Sequence, residues 1–264
     1  MKTIGILGCG WLGFPLAKAL VEKNWAVKGS TTSTNKLALL RECRIKPFLI
    51  ILDERQIDGD IDDFLENLAV LIIDIPPKAT TSDFTKKIEL LLPHIEKSTV
   101  QKVVFISSTS VYDDQAVLVD EATPTNPLTE SGRQLVKSEA LLQGNPNFKT
   151  TVIRFGGLIG EDRHPVKFLS GRKNVEQPDS PVNLIHQKDC IGLLLNLIEK
   201  EIYGEVFNAV APSHPTRKTY YTKKALSFGL PLPEFAQQQG ATGKTISSEK
   251  IVKTLAYVFE VPEL

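Results

Sequence analysis

The stretch Thr3-Ile4-Gly5-Ile6-Leu7-Gly8-Cys9-Gly10-Trp11-Leu12-Gly13 decides the fold. Its first five residues form a short apolar run of strand character. Leu12, Leu16, Ala19 and Leu20 then fall on one stripe at helical spacing. A glycine pattern that follows a strand directly and opens a helix has a physical meaning. Gly8 permits the tight turn, Gly10 lets backbone approach a diphosphate with no Cβ in the way, and Gly13 lets the helix pack close to the strand. The helix N-terminus adds free N–H groups and a positive dipole for the phosphates. A dinucleotide is therefore the expected ligand, with Gly8, Gly10, Trp11, Leu12 and Gly13 against it.

Outward from this unit, apolar β-rich runs recur at residues 25–28, 48–52, 69–73, 103–107 and 151–155, with helical patterns between several of them. One such pattern starts at about Ser82 and runs to Glu96, with Phe84, Ile88, Leu91, Leu92 and Ile95 on its inner face and Pro93 bending it. Continuous apolar strands alternating with helices predict an α/β fold, a Rossmann-like doubly wound parallel sheet covered on both faces. After residue 156 the alternation weakens, and Gly156-Gly157, Pro178, Pro181, Pro212 and Pro215 break up shorter elements. We expect a dinucleotide-binding domain over residues 1–157 and a smaller C-terminal substrate lobe over 158–264, with some of its segments returning to the sheet. Helices are predicted from Asp189 to Lys200 and from Arg217 to Phe228, the latter closed by Gly229.

The 264 residues carry 31 Lys+Arg against 31 Asp+Glu, so no net field draws in nucleic acid or an anionic membrane. Any anion must be held locally. Cys9, Cys43 and Cys190 are spread apart without ligand spacing, which favours packed thiols in a reducing compartment and no metal site. The run from Met1 to Gly13 is glycine-rich, lacks a small-residue cleavage site and flows into a periodic helix, so it reads as a buried strand and not a secretory signal. No apolar run reaches the roughly 18 residues of a membrane span. A cytoplasmic protein is expected. Gly243-Lys244-Thr245 resembles the end of a phosphate-binding loop, but residue 238 is glutamine where that loop needs glycine, and no strand precedes it; nor is there a biased tract longer than Gln237 to Gln239.

The acid that ordinarily ends the second strand and bonds the adenosine ribose 2′-OH is missing. In its place stands Lys28-Gly29-Ser30-Thr31-Thr32-Ser33-Thr34-Asn35-Lys36, with no carboxylate before Glu42. Donors and cations suit a 2′-phosphate and a carboxylate repels it, so Ser30, Thr31, Thr32 and Lys36 favour NADP over NAD, although no arginine clamps it. Asp53, after the third strand, either accepts from the adenine amino group or is a solvated loop carboxylate.

The fifth strand ends in Ser107-Ser108-Thr109-Ser110-Val111-Tyr112, at the carboxyl edge where open α/β sheets bind ligands. With the glycine loop, this segment resembles the extended short-chain dehydrogenase/reductase family, which includes nucleotide-sugar epimerases and dehydratases and carries a similar Ser-Ser-x-x-Val-Tyr. Arg154 to Gly160 and Asn183 to Asp189 are similar to later segments of that family, and Gly204 to Asn208 to its following strand. The resemblance implies a small-molecule substrate, NADP or NAD as cofactor, a homodimer, Ser108 as the hydroxyl that polarises a carbonyl, Tyr112 as a substrate contact, and Ser107, Ile75 and Pro76 beside the cofactor. The segment Asp74-Ile75-Pro76-Pro77 is where the family's chain passes the dinucleotide.

The family's Tyr-x-x-x-Lys is absent from Pro127-Leu128-Thr129-Glu130-Ser131-Gly132-Arg133-Gln134-Leu135-Val136-Lys137. Matching Pro127, Thr129, Gly132 and Glu139 to the family puts Ser131 at the tyrosine and Leu135 at the lysine. Matching Lys137 to the lysine puts Arg133 at the tyrosine and spoils the other four marks, so the first register is preferred. A shift of two residues turns a helical side chain by about 200°. Neither register supplies an acid, since a serine hydroxyl is too weak alone and a guanidinium keeps its proton. Ser131 and Gln134 also form a capping-box pattern. Tyr112 has the chemistry to take over the proton transfer as a catalytic residue, His164 and His186 are other groups that could face the cleft, and Tyr220 and Tyr221 are expected to pack. Two functions stay open: an oxidoreductase or epimerase on a nucleotide-sugar-like or small polar carbonyl compound, and a non-catalytic sensor of the dinucleotide.

Overall fold

The computed structural model describes residues 2–77, 83–114, 118–237 and 243–264. Met1, Ser82 and the glutamines at 238 and 239 invoked above lie outside the described residues. A seven-stranded sheet is formed by β1 (Thr3–Leu7), β2 (Ala26–Thr31), β3 (Lys46–Leu49), β4 (Leu68–Ile73), β5 (Lys102–Ser108), β6 (Lys149–Phe155) and β7 (Val206–Ala209). Its spatial order is β3-β2-β1-β4-β5-β6-β7, with every pair parallel. The order reverses between β1 and β4, which opens a crevice at the carboxyl ends of these two strands.

Period-two burial explains why the strands read as continuous apolar runs. Ile4 and Ile6 of β1, Val70 and Ile72 of β4, Val104 of β5, and Ile153 and Phe155 of β6 enter one core. Leu7, Leu71, Ile73, Val103, Phe105 and Val152 enter the core on the opposite face. Each such side chain contributes about 1.5–3 kcal/mol by leaving water.

The helices are α1 (Gly13–Glu22), α2 (Lys36–Glu42), α3 (Ile61–Leu65), α4 (Phe84–Lys97), α5 (Glu130–Gln143), α6 (Val166–Leu169), α7 (Gln187–Glu199), α8 (Arg217–Ser227) and α9 (Glu249–Leu255). Leu16, Ala17 and Leu20 of α1 pack in the first core with Leu193, Leu194 and Leu197 of α7. α4 and α5 supply Phe84, Ile88, Leu91, Leu135 and Leu142 to the second. Pro93 is carried within α4, while Leu92, expected inside, is only half-buried. A third, smaller core gathers Ile159, Val166, Val182, Leu184, Tyr220, Tyr221 and Ala225 around α6 and α8. α7 and β7 lie beyond residue 157 yet rejoin the sheet.

Two strand boundaries differ from the sequence reading. β2 continues past Lys28 to Thr31 because its polar residues are satisfied in place: Lys28 Nζ donates to the carbonyls of Asp63 within α3 and Glu66 at its C-terminal end, and Ser30 Oγ accepts from Gly8 N. The run 48–52 is split. The Ile50 amide makes the last bond to β2, at Thr31 O, and Ile51–Leu52 then pairs antiparallel with Ile57–Asp58.

The carboxyl ends of β5 and β6 are tied to α5 by a buried charge cluster. Arg154 Nη2 donates to Glu139 Oε2 at 2.6 Å, and Arg154 Nη1 to Tyr112 Oη at 2.6 Å. Ser107 Oγ donates to Glu139 Oε1 at 2.5 Å, and Tyr112 Oη to Asn208 Oδ1 at 3.0 Å. Removing one partner leaves a buried charge uncompensated. Glu139→Ala is therefore expected to cost about 3–5 kcal/mol in urea denaturation. A loss below about 1 kcal/mol would show that the guanidinium finds water instead.

Candidate functional site

The glycine loop is built as its spacing demands. Gly8 has φ +113°, and a Cβ there would overlap the Asp74 carbonyl. A Cβ on Gly13 would overlap the Gly8 carbonyl oxygen, so the first turn of α1 is pressed onto the end of β1. Gly10 is different, because a Cβ there meets nothing within 4 Å. It faces open space and not packed protein. Cys9 N bonds to Ser30 O at 2.7 Å and Gly10 N to Gly8 O at 2.8 Å. Among the described residues the amides of Trp11, Leu12 and Gly13 have no backbone acceptor.

A cleft of about 400 Å³ opens beside this loop. Its floor is Leu7, Gly8, Cys9 and Gly10; one wall is Ser30, Thr31, Thr32 and Lys36; the others are Ile50 to Leu52 and Asp74 to Pro76, with Phe84 and Lys87 from α4. The volume falls within the range of small-molecule sites. Gly8, Gly10, Ser30, Thr31, Thr32, Lys36, Ile75 and Pro76 thus meet in one place. Ser30 Oγ is already engaged by the Gly8 amide, and Thr31 Oγ1 accepts from Ser33 N at 3.1 Å, so Thr32 is the freer hydroxyl.

Other expected site residues are used differently. Leu12 is core, 3% exposed. The Trp11 indole turns away from this cleft: Nε1 donates to Asp162 Oδ1 at 2.8 Å, the ring abuts Gly160, and Arg163 stacks over it at 5.0 Å. Asp53 does not line the cleft. Its Oδ1 accepts from Arg55 N and Gln56 N at 2.7 and 2.8 Å, closing the hairpin turn, and these amides hold its carboxyl below the usual range. Ser107 is buried against Glu139, and Tyr112 is only 2% exposed beneath Arg154 and Asn208. Burial pushes the Tyr112 phenol up, away from acid duty at neutral pH. Ser108 Oγ accepts from Ser110 N at 3.1 Å, capping the turn after β5.

On α5, Arg133 and Lys137 are exposed while Leu135 is buried. Arg133 pairs with Glu130 at 2.8 Å. The N-cap is Thr129 and not Ser131: Thr129 Oγ1 accepts from Gly132 N at 3.1 Å, and Ser131 Oγ lies 3.2 Å from it. Gln134, the supposed partner of Ser131, reaches another helix instead. Its Oε1 accepts from Phe84 N at 3.0 Å and caps α4 alongside Asp83. His186 caps α7 by accepting from Lys188 N, and Asp189 anchors the C-terminal tail through Tyr257 Oη, Glu260 N and Val261 N. His164 is buried beside Tyr220, with 2.9 Å between Nε2 and Oη, and burial pushes its imidazole down to about 4. Tyr220 and Tyr221 pack, as their helical spacing predicts.

Two cleft residues carried no assigned role in the sequence. Lys87 lies one position before the inward-facing Ile88, so the apolar stripe alone gives it no function. Asp74 closes β4 at the loop, and burial raises its carboxyl to about 7. Among the described residues, no group of histidine, cysteine and acidic side chains could hold a metal ion, and no helix is long and apolar enough to cross a membrane.

The sheet order, the loop and the cleft define the class, an NAD(P)-binding Rossmann domain. Residues 3–127 match the family described as the NAD binding domain of 6-phosphogluconate dehydrogenase. Solved structures with this fold include a functionally unknown conserved protein from Silicibacter pomeroyi DSS (TM-score 0.81, 23% identity, covering 100% of this chain and 95% of that one). UDP-glucuronic acid 4-epimerase from Bacillus cereus in complex with NAD is another, with TM-score 0.78 and 19% identity over 97% of this chain and 93% of that one. A short-chain dehydrogenase/reductase superfamily protein from Agrobacterium tumefaciens with bound NAD has TM-score 0.76 and 16% identity over 97% and 92%. Protein YeeZ of Escherichia coli K12 is 32% identical over 268 residues, covering 100% of this chain and 97% of that protein. The chain belongs to the YeeZ family.

Because Gly10 faces open space, Gly10→Val is expected to leave the melting temperature within about 2 °C while weakening NADPH at least tenfold in a fluorescence titration. Unchanged affinity would remove the loop from the binding site.

Proposed function

We propose that the chain binds NADP(H) in this cleft and has dispensed with the proton-transfer pair of the short-chain dehydrogenase/reductase family. The observation that carries the cofactor choice is the pair Lys36 and Lys87. Both line the cleft, and neither ammonium group pairs with an acceptor or carboxylate among the described residues. With Thr32 they offer two cations and a hydroxyl donor to a 2′-phosphate. The lining carboxylate, Asp74, is at the glycine-loop end, where it does not repel that group.

The absence of standard catalysis rests on particular side chains. Ser131 and Leu135 stand where the family keeps its tyrosine and lysine, and Tyr112 is locked in the buried charge cluster. Residues 78–82, 115–117 and 238–242 contain no Tyr, His, Asp, Glu or Cys, so their sequence adds no conventional acid apart from the weak Lys78. A binding or sensing role follows. A second reading, an oxidoreductase or epimerase acting on a nucleotide-sugar-like or small polar carbonyl compound, is favoured by Ser108. Its oxygen accepts from Ser110 N, which leaves its own hydrogen to donate at the sheet's carboxyl edge. Bound nicotinamide would supply the hydride in that case. The nucleotide-sugar epimerase among the structural neighbours supports the same substrate class.

Parallel titrations test the cofactor choice. Lys36→Ala and Lys87→Ala should each weaken NADPH about tenfold, the worth of one charge-assisted hydrogen bond, and leave NADH unchanged. A clear NADH advantage in the wild type would overturn it. Deuteride transfer from labelled NADPH to a panel of sugar nucleotides and aldehydes tests the role. No transfer is expected, whereas transfer that disappears in Ser108→Ala would establish the second reading.

A further inference from the structure

We propose that Asp74 couples dinucleotide binding to proton uptake, with its carboxyl admitting the diphosphate when neutral and opposing it when ionised. This deepens the dinucleotide reading and rests on it. Three features of the geometry carry the inference. Asp74 lines the same cleft as Gly8 and Gly10, and a Cβ on Gly13 would lie 3.0 Å from its Oδ2, so the carboxyl sits at the first turn of α1, occupying the Gly13 amide that a diphosphate would otherwise take. Its backbone is fixed there: Asp74 N donates to Leu7 O at 2.9 Å, continuing the β4–β1 ladder, and its carbonyl is packed against Gly8. The carboxyl also has no cation. Among the described residues it forms no ion pair, and the Gly13 amide is the one group that favours its charged form.

The charged and titratable groups around it do not supply this proton equilibrium. Cys9 below it and Cys190 from α7 are buried thiols pushed upward by burial and by Asp74 itself, so both stay neutral. Lys36 of α2 and Lys87 of α4 share the cleft but do not pair with it. His186 lies in the neighbouring pocket beyond Trp11, and burial holds it below the ordinary imidazole range.

Asp74 is half-buried, yet desolvation dominates, and its carboxyl is raised to about 7. A bound diphosphate is an anion beside it and raises it further, so the complex holds the proton more tightly than the free protein. Linkage then fixes the sign. Affinity is level below pH 7 and falls as pH rises, by up to about tenfold per unit, until the carboxyl of the complex also ionises.

The test uses NADH, whose diphosphate does not titrate here, whereas the 2′-phosphate of NADPH does. Binding is measured from pH 5.5 to 9 on the wild type, Asp74→Asn and Asp74→Ser, with calorimetry at pH 8 in two buffers of different ionisation enthalpy. The wild type should weaken at least tenfold between pH 7 and 9 and take up a proton on binding. Both variants should bind independently of pH and exceed the wild type at pH 9. Parallel profiles for wild type and variants, or no proton uptake by the wild type, overturn the role of Asp74 while leaving the dinucleotide reading intact. Failure of all three proteins to bind NADH or NADPH at any pH overturns that reading, and this inference with it.

Discussion

No Cβ fits at Gly8 or at Gly13, and the rest of the architecture is arranged around that exclusion. The end of β1, the first turn of α1 and the backbone of Asp74 approach one another so closely that one methyl group would separate them. Their approach fixes the angle at which α1 lies on the sheet. It thereby fixes α7, which shares the core beneath it, and leaves the Trp11 and Leu12 amides without a backbone acceptor among the described residues. An anion site arises here as the remainder of a packing problem.

The second organising element is a buried polar cluster. Tyr112, Ser107, Arg154, Glu139 and Asn208 form one hydrogen-bonded cluster under the carboxyl ends of β5, β6 and β7. α5 is drawn in by Glu139 and held against the turn after β5 by Gly132, where a Cβ would lie 2.6 Å from Ser110 O. α5 is thus tied to the sheet and to α4 by its buried face, and its outward Arg133 and Lys137 are exposed. Gln134 extends that role, since by capping α4 it helps hold the helix that brings Lys87 to the cleft.

The sheet and the glycine loop were legible because both rest on local rules. Apolar runs of strand length must be buried on two faces, and GxGxxG between strand and helix has a narrow geometric meaning. Lys28, Ser30 and Thr31 misled because polar residues suggest a turn, whereas here a lysine reaches carbonyls of α3 and its C-terminal end and a serine reaches the loop, so the strand runs on. Ser107 misled for the opposite reason. Position in the chain placed it near a ligand, but a hydrogen bond to Glu139 had already claimed it, while Asp53 takes the loop alternative, closing its own turn through Arg55 and Gln56. Such partners are set by side-chain direction across distant segments, which periodicity does not encode. The Ser131 capping pattern failed similarly, because Thr129 two residues earlier was in the better place to accept.

Trp11 shows how two constraints share one residue. Its backbone belongs to the glycine loop, while its indole is bonded to Asp162 and laid against Gly160, and its carbonyl accepts from Gln187 at 2.7 Å. The side chain therefore records nothing about the cofactor. In a lineage where the segment around Gly160 and Asp162 is reshaped, residue 11 would be free to drift with them while Gly8 and Gly13 stay fixed by their packing. Variation inside a nucleotide-binding fingerprint would then be a trace of change some 150 residues downstream in the chain.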